Sequence, residues 1–162
     1  MSKSRTRLAA LVAATALAVS LSACTAGQWE YDAPPAAGVQ VDDGGLKVRN
    51  FMILTDGEQA ALLGGLHSRD EAAQVAGLEV AAEGEDGTFA EPQRLPYETD
   101  IPRGQTVLLD GTETSFSGEG LIAGRLAEVS VLFAGGTVVK LQVPVYSAEH
   151  QDFAEAWANA NG

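Results

Sequence analysis

The sequence predicts an all-β fold, an antiparallel β-sandwich of immunoglobulin-like or cupredoxin-like type with about seven strands. Three observations support this: short segments in which apolar and polar residues alternate, turn residues at regular spacing between them, and no helical period inside the domain. The 162 residues are 46% hydrophobic, which is enough to form the core of one ordinary domain. A doubly wound α/β fold is not expected.

The alternating segments place the strands. Residues 46–54 form the clearest early strand, with Leu46, Val48, Met52 and Leu54 on one face and Lys47, Arg49 and Phe51 on the other. Residues 59–68, 74–82 and 105–110 are further strands, and Gly64-Gly65 marks a bulge in the first of them. Pro92, Pro96 and Pro102 predict that any strand between 88 and 103 lies at a sheet edge or is absent. Residues 128–133 and 139–143 form a β-hairpin.

The N-terminus has the pattern of a secretory signal peptide over residues 1–23. Lys3, Arg5 and Arg7 precede an apolar run over residues 8–21, and small residues follow it. As a helix the run would span roughly 21 Å, short of the ~30 Å hydrocarbon core, so a membrane-spanning helix is not expected.

The end of this run, Leu21-Ser22-Ala23-Cys24, resembles the lipobox of bacterial lipoproteins. The resemblance implies that Cys24 is acylated, with palmitate-type chains, and becomes the first residue of a mature protein anchored in the cell membrane and facing outside the cytoplasm. The alternative is ordinary cleavage that leaves Cys24 as a free thiol. That cleavage prefers a small residue three positions before the cut, where Leu21 stands, so the lipoprotein interpretation is favoured.

Two segments outside the strands complete the organisation. Residues 24–38 comprise Cys24 and a stretch rich in Ala, Gly and Pro without an apolar period, which predicts a flexible tether. The domain then covers residues 39–148. In the tail, residues 149–162, Phe153 and Trp157 are spaced for one helical face, but the terminal Asn and Gly predict fraying.

Charge and cysteine usage exclude several classes. The net charge is -12, and after residue 7 the chain has seven basic residues against 22 acidic ones, which leaves it at -15. Such a domain has no basic surface for phosphate backbones, so nucleic-acid binding is not expected. A single Cys excludes an internal disulfide and a thiolate zinc site.

Three stretches, residues 46–54, 61–72 and 129–145, resemble actinobacterial lipoproteins related to the periplasmic copper chaperones of the PCu(A)C family. The resemblance implies a cupredoxin-like sandwich that binds Cu(I) through His and Met, with one pair written His-x-Met. Neither His67 nor His150 lies in such a motif, and Met52 is the only methionine after the start residue. The copper site is therefore not expected to be retained, and His67 and Met52 are the remaining candidate metal ligands.

Three functions stay open at this point. The favoured one is a non-catalytic binding or accessory module of the cell envelope, which contacts the membrane through the acyl chains and an envelope protein or wall component through the domain. The alternatives are a copper- or metal-handling protein and a hydrolase that uses carboxylates. No catalytic residue is assigned, because the sequence contains no Gly-x-Ser-x-Gly elbow. No cofactor is expected, with copper as the alternative.

Overall fold

The computed structural model describes residues 37–161. The predicted signal peptide, Cys24 and almost all of the predicted tether lie outside these residues. The described part contains ten strands, a short 3₁₀ helix at Gln151–Phe153 and one α-helix, α1 at Ala154–Ala160. The strands are β1 Val39–Asp43, β2 Leu46–Thr55, β3 Gln59–Ser68, β4 Ala73–Ala82, β5 Gln93–Leu95, β6 Thr99–Ile101, β7 Gln105–Leu109, β8 Ser115–Ser117, β9 Leu126–Phe133 and β10 Val138–Ser147.

The strands form a β-sandwich, which confirms the predicted all-β class. Sheet A contains β1, β2, β3, β7 and β8, and sheet B contains β4, β5, β6, β9 and β10. β10 joins the two sheets, because it pairs with β9 over Val138–Pro144 and then with β2 over Val145–Ser147. The second pairing is parallel, so the sheet is mixed and not purely antiparallel as predicted. More strands are present than the seven expected, because three of the ten contain only three residues.

The main core lies between the two sheets. It is built from aliphatic and aromatic side chains that alternate along the long strands, as a strand with one buried face requires. The largest fully buried members include Phe51, Ile53, Leu62, Leu66, Leu78, Ile101, Val129 and Val131. Among the described residues, every buried side-chain nitrogen and oxygen has a hydrogen-bond partner.

A bulge in β2 changes which residues of that strand face the main core. Two residues, Asn50 and Phe51, lie opposite the single residue Gly64 of β3, and Asn50 has a positive φ of 51°. Val48 therefore faces the main core before the bulge, and Phe51 and Ile53 face it afterwards. The sequence predicts Phe51 on the face of Lys47 and Arg49. It also predicts Met52 on the face of Val48. Both predictions are wrong, because the extra residue shifts the alternation of faces by one position. The predicted bulge at Gly64-Gly65 exists, but the extra residue belongs to the facing strand.

The C-terminal residues form a helix and do not fray as the sequence suggests. α1 and the preceding 3₁₀ helix pack on the outer face of sheet A. Their Phe153, Ala156 and Trp157 cover a second apolar cluster made of Met52, Leu54 and Leu63, with Tyr146 beside it. The rings of Tyr146 and Phe153 are 4.9 Å apart. Burial of this apolar surface supplies the free energy that the short helix lacks by itself.

The short strands lie at the edges, as the prolines predict. β5 and β6 contain three residues each and pair with β4 on the side opposite β9. Within residues 37–161, no helix has the length and apolar character that crossing a membrane requires.

Candidate binding surface on sheet A

The outer face of sheet A carries the first predicted metal-ligand candidate. His67 of β3 lies in register between Lys47 of β2 and Thr106 of β7. Its Nδ1 is 3.1 Å from the Thr106 hydroxyl oxygen, and the side chain is half-buried. The imidazole is therefore held by a neutral hydroxyl beside a lysine.

The second candidate, Met52, lies elsewhere on the same face. It is only 8% exposed, under α1, and pairs in register with Leu63. His67 is four residues further along β3 than Leu63, a distance of roughly 13 Å along a strand. Metal bonds to nitrogen and sulfur ligands are about 2.0–2.3 Å long, so one ion cannot bind both side chains over such a separation. Among residues 37–161 there is no cluster of three or more His, Cys, Asp or Glu side chains.

His150, the other histidine, has a structural role. It is the N-cap of the 3₁₀ helix, where its Nδ1 accepts a hydrogen bond from the backbone N–H of Asp152. Its ring is 5.7 Å from that of Phe153. Capping and ring packing therefore account for this residue.

A groove of about 390 Å³ runs along the outer face of sheet A. α1 forms one wall through Ala156 and Asn159, and β7 forms the other through Thr106 and Leu108. Its floor consists of apolar side chains and glycine backbone, namely Met52, Leu63, Gly64 and Gly65. Glycine at position 65 opens the floor, because a Cβ there would approach the methyl group of Thr106 to 3.3 Å.

Leu108 is the most exposed large apolar side chain of the described chain, at 75%. Its cross-strand neighbour on β3 is Gly65, which has no side chain to cover it. β7 is also the end of sheet A, since no strand in the described part pairs with its other side. Leu108 therefore has an uncovered side at the position where a further strand would lie.

β7 differs in charge from three of the other edge strands, β1, β5 and β6. Its five residues, Gln105–Leu109, contain no charged side chain and no proline. β1 ends in two aspartates, while β5 contains Arg94 and β6 contains Asp100. Charges and prolines at edges oppose pairing with other chains. β8 also lacks them but contains only three residues, so β7 is the longest edge strand of the described part without this protection.

Charges of opposite sign flank β7. Arg103 lies in the turn before the strand and Asp110 directly follows it, and both are exposed. Arg103 makes no ion pair within 4.0 Å among the described residues, although its charge contributes, after that of Arg69, to the lowered pKa of Asp70. Asp110 accepts a hydrogen bond from the backbone N–H of Thr112. Each flanking charge thus stays available to a group outside the domain. We call Gln105–Leu109 with Arg103 and Asp110 the β7 edge.

A second cavity, of about 430 Å³, lies at the end of the sandwich between the β1–β2, β3–β4 and β9–β10 turns. Its carboxylates are Asp43, Asp70 and Glu71. Arg69 binds Asp70 at 2.9 Å and lowers the pKa of that carboxyl. The charge of Asp70 is thus already balanced by its neighbour in the chain.

The shifted carboxyl pKa values do not favour acid catalysis. A hydrogen bond from Arg49 lowers the pKa of Asp42, and backbone N–H groups of Gln59 and Glu58 lower that of Asp56. Thr88 lowers the pKa of Asp86 through its hydroxyl and its backbone N–H. A general acid at neutral pH needs the opposite shift, toward a protonated carboxyl.

No protein-family model matches the sequence, and no curated protein matches it. Among solved structures, the apo PCuAC domain of PmoF1 is similar at 17% identity and a TM-score of 0.49, over 67% of this chain and 99% of that one. The copper-bound PCuAC domain of PmoF2 is similar at 12% identity and a TM-score of 0.40, over 67% of this chain and 98% of that one. The sporulation control protein Spo0M of Bacillus subtilis is similar at 13% identity and a TM-score of 0.41, over 72% of this chain and 56% of that one. These identities and TM-scores are too low to transfer a ligand to this chain.

The residues of the β7 edge were not singled out by the sequence pattern. A signal was present: Gln-Thr-Val-Leu-Leu is an uncharged strand between Arg103 and Asp110. That the strand lies at an edge, and that Gly65 is the neighbour of Leu108, follow only from the pairing of β7 with β3.

Proposed function

We propose that this protein is a membrane-anchored extracytoplasmic lipoprotein whose β-sandwich acts as a non-catalytic binding or accessory module of the cell envelope. Acyl chains on Cys24 hold it at the membrane, and the β7 edge contacts its partner. The lipobox-like Leu21-Ser22-Ala23-Cys24 supports the anchor.

The observation that carries the binding role is the uncovered β7 edge. A strand without charges or proline, with Leu108 75% exposed, is an unusual edge for a monomeric domain. Pairing with an added strand satisfies the free backbone groups of such an edge and covers its apolar side chain.

Site-specific photocrosslinking in the producing bacterium tests this role. A photoreactive amino acid is placed at position 108 of the full chain, and a matched control at Val138, which is 47% exposed in sheet B. We expect one discrete adduct from position 108, with its partner identified by mass spectrometry, and none from position 138. Equal labelling from both positions, or no adduct from 108, would contradict the proposal.

A cysteine substitution tests the anchor. With Cys24→Ala we expect the protein to move from the membrane to the soluble extracytoplasmic fraction, and the mature wild type to exceed the polypeptide mass by its acyl groups. Myristate-like single chains bind membranes only weakly, so two or three chains are needed for stable anchoring. A wild-type chain without added mass would refute lipidation.

Copper handling is the second candidate, favoured by the resemblance of residues 46–54, 61–72 and 129–145 to the copper chaperones. A Cu(I) competition titration of the full mature chain, beside His67→Ala and Met52→Leu, separates it from the binding module. Tight one-to-one binding that His67→Ala abolishes would establish a metal role. We expect no binding above that of the chelator, because His67 and Met52 lie roughly 13 Å apart along the sheet.

A further inference from the structure

We propose that the partner of the β7 edge is a second copy of this chain, whose own β7 pairs antiparallel with it across a two-fold axis. The inference rests on the proposed binding role of this edge and names its partner. A two-fold interface needs a self-complementary surface, on which every contact between a first residue of one copy and a second residue of the other is repeated with the copies exchanged.

The faces of the strand restrict the register. In a continuous sheet, residues that lie opposite each other project from the same face. Thr106 and Leu108 lie on the outer face, where they border the groove, while Val107 and Leu109 pack toward the main core. The register that pairs all five residues places Val107 opposite Val107 and Thr106 opposite Leu108 of the second copy.

This register supplies what Leu108 lacks. Its neighbour within the chain is Gly65, and in the pair Thr106 of the second copy would lie directly opposite, at the ~4.5–5.5 Å Cβ spacing of facing residues. The two Leu108 side chains then lie diagonally across the seam. The apolar surface exposed in one copy is covered by the same surface of the other.

The flanking charges complement each other under the same symmetry. Antiparallel pairing brings the start of one strand to the end of the other, so Arg103 of each copy comes within reach of Asp110 of the other. Neither Arg103 nor Asp110 has an ion-pair partner within 4.0 Å among the described residues, so the new pairs break no existing contact. The longer-range attraction of Arg103 to Asp70 is the interaction that competes with them. Two opposite-sign pairs thus form at the seam between two chains that each have a net charge of -15 after residue 7. Exposed charges that lie farther apart than the ~8 Å screening length of physiological salt repel each other only weakly.

The expected dimer is weak in solution, because a seam of five residue pairs is smaller than the roughly 1,200–2,000 Å² of stable interfaces. Anchoring both copies in one membrane raises their local concentration and favours the pair. The test therefore uses the full, membrane-anchored chain.

A charge-exchange experiment tests the pairing. Two versions of the full chain with different tags are co-expressed, each with the photoreactive residue at position 108, and the adduct of twice the chain mass is quantified. Arg103→Glu alone, or Asp110→Lys alone, places like charges at both ends of the seam and should lower the association constant about tenfold. Co-expression of Arg103→Glu with Asp110→Lys restores both opposite-sign pairs, so the adduct that contains both tags should return to the wild-type level.

Two control variants distinguish a loss of pairing at the seam from unfolding of the domain and from a general change in net charge. Asp110→Asn retains the acceptor for the Thr112 N–H and removes only the charge, so it should lower the adduct without changing the thermal unfolding of the domain. Glu149→Lys, an exposed change at the end of β10, should leave the adduct unchanged. An adduct at position 108 with a different envelope protein would overturn the self-pairing and leave the proposed binding role intact. The absence of any adduct at 108 would overturn both.

Discussion

The ring of Phe51 lies where a Cβ at position 64 would stand. Gly64 has φ +149°, and a methyl group added to it would overlap the Cδ1 and Cε1 atoms of Phe51. The bulge at Asn50 turns Phe51 into the core and over this glycine. The close approach thus couples the bulge in β2 to a residue without a side chain in β3.

Gly64→Ala should therefore destabilise the domain by about 1–3 kcal/mol, because the methyl group must displace a buried ring. Denaturant unfolding followed by circular dichroism measures the change. Gly135→Ala is the matched control, since a Cβ at position 135 meets no atom within 4 Å. Equal stability of the two variants would show that Phe51 has room to move.

Trp157 covers the second apolar cluster, so its removal should loosen the C-terminal helix. Trp157→Ala uncovers Met52 and Leu63, and we expect a loss of about 2 kcal/mol, less than for a fully buried tryptophan because the residue is half-buried. Amide hydrogen exchange should increase across residues 151–161 before it increases in β2. Glu155→Ala, on the exposed side of α1, should change neither quantity.

The stability of the β2–β3 turn should depend on acid pH through Asp56. Backbone N–H groups of Gln59 and Glu58 donate to its Oδ1 at 2.8 and 2.9 Å and lower its pKa below the ordinary 3.8. A depressed carboxyl pKa contributes stability that is present above the unfolded pKa and is lost as the pH falls through the folded pKa. Unfolding measured from pH 6 to pH 2 should show this loss in the wild type. In Asp56→Asn, which retains the acceptor, the slope should be smaller. An unchanged slope would assign the acid sensitivity to other carboxyls.

Thr114 is a buried hydroxyl whose single partner is a backbone carbonyl. Thr114 is 1% exposed, and its hydroxyl donates to the backbone oxygen of Leu62 at 2.6 Å, while the backbone N–H of Leu62 donates to the backbone oxygen of Thr114. Thr114→Val keeps the shape and removes the donor, and it should cost about 1–2 kcal/mol. Thr137→Val in the exposed β9–β10 turn is the control, with an expected change below ~0.5 kcal/mol.

The long strands were readable from the sequence because their signals are local. Alternation between Val129, Val131 and Phe133 and the turn that follows it predict the β9–β10 hairpin, and both halves are present. The sequence predicted the position of the bulge but not the strand that carries it. Gly64-Gly65 indicates where the pairing is irregular. An extra residue can belong to either strand, and only the observed pairing assigns it to β2 at Asn50.

The C-terminal helix shows the opposite case. Seven residues with Asn and Gly near their end do not form a stable helix alone, and the sequence therefore predicts fraying. The helix exists because Phe153 and Trp157 find an apolar surface on sheet A. That surface is itself a product of the bulge, which turns Met52 and Leu54 outward.

The sequence by itself determined the all-β class, the main strand positions and the acidic character, because strand alternation, turn residues and charge are properties of neighbouring residues. Only the tertiary structure decided which strands lie at the edges, that His67 and Met52 are separated, and that Leu108 lies opposite Gly65. These are relationships between residues far apart in the chain, and they depend on a strand order that local patterns do not specify.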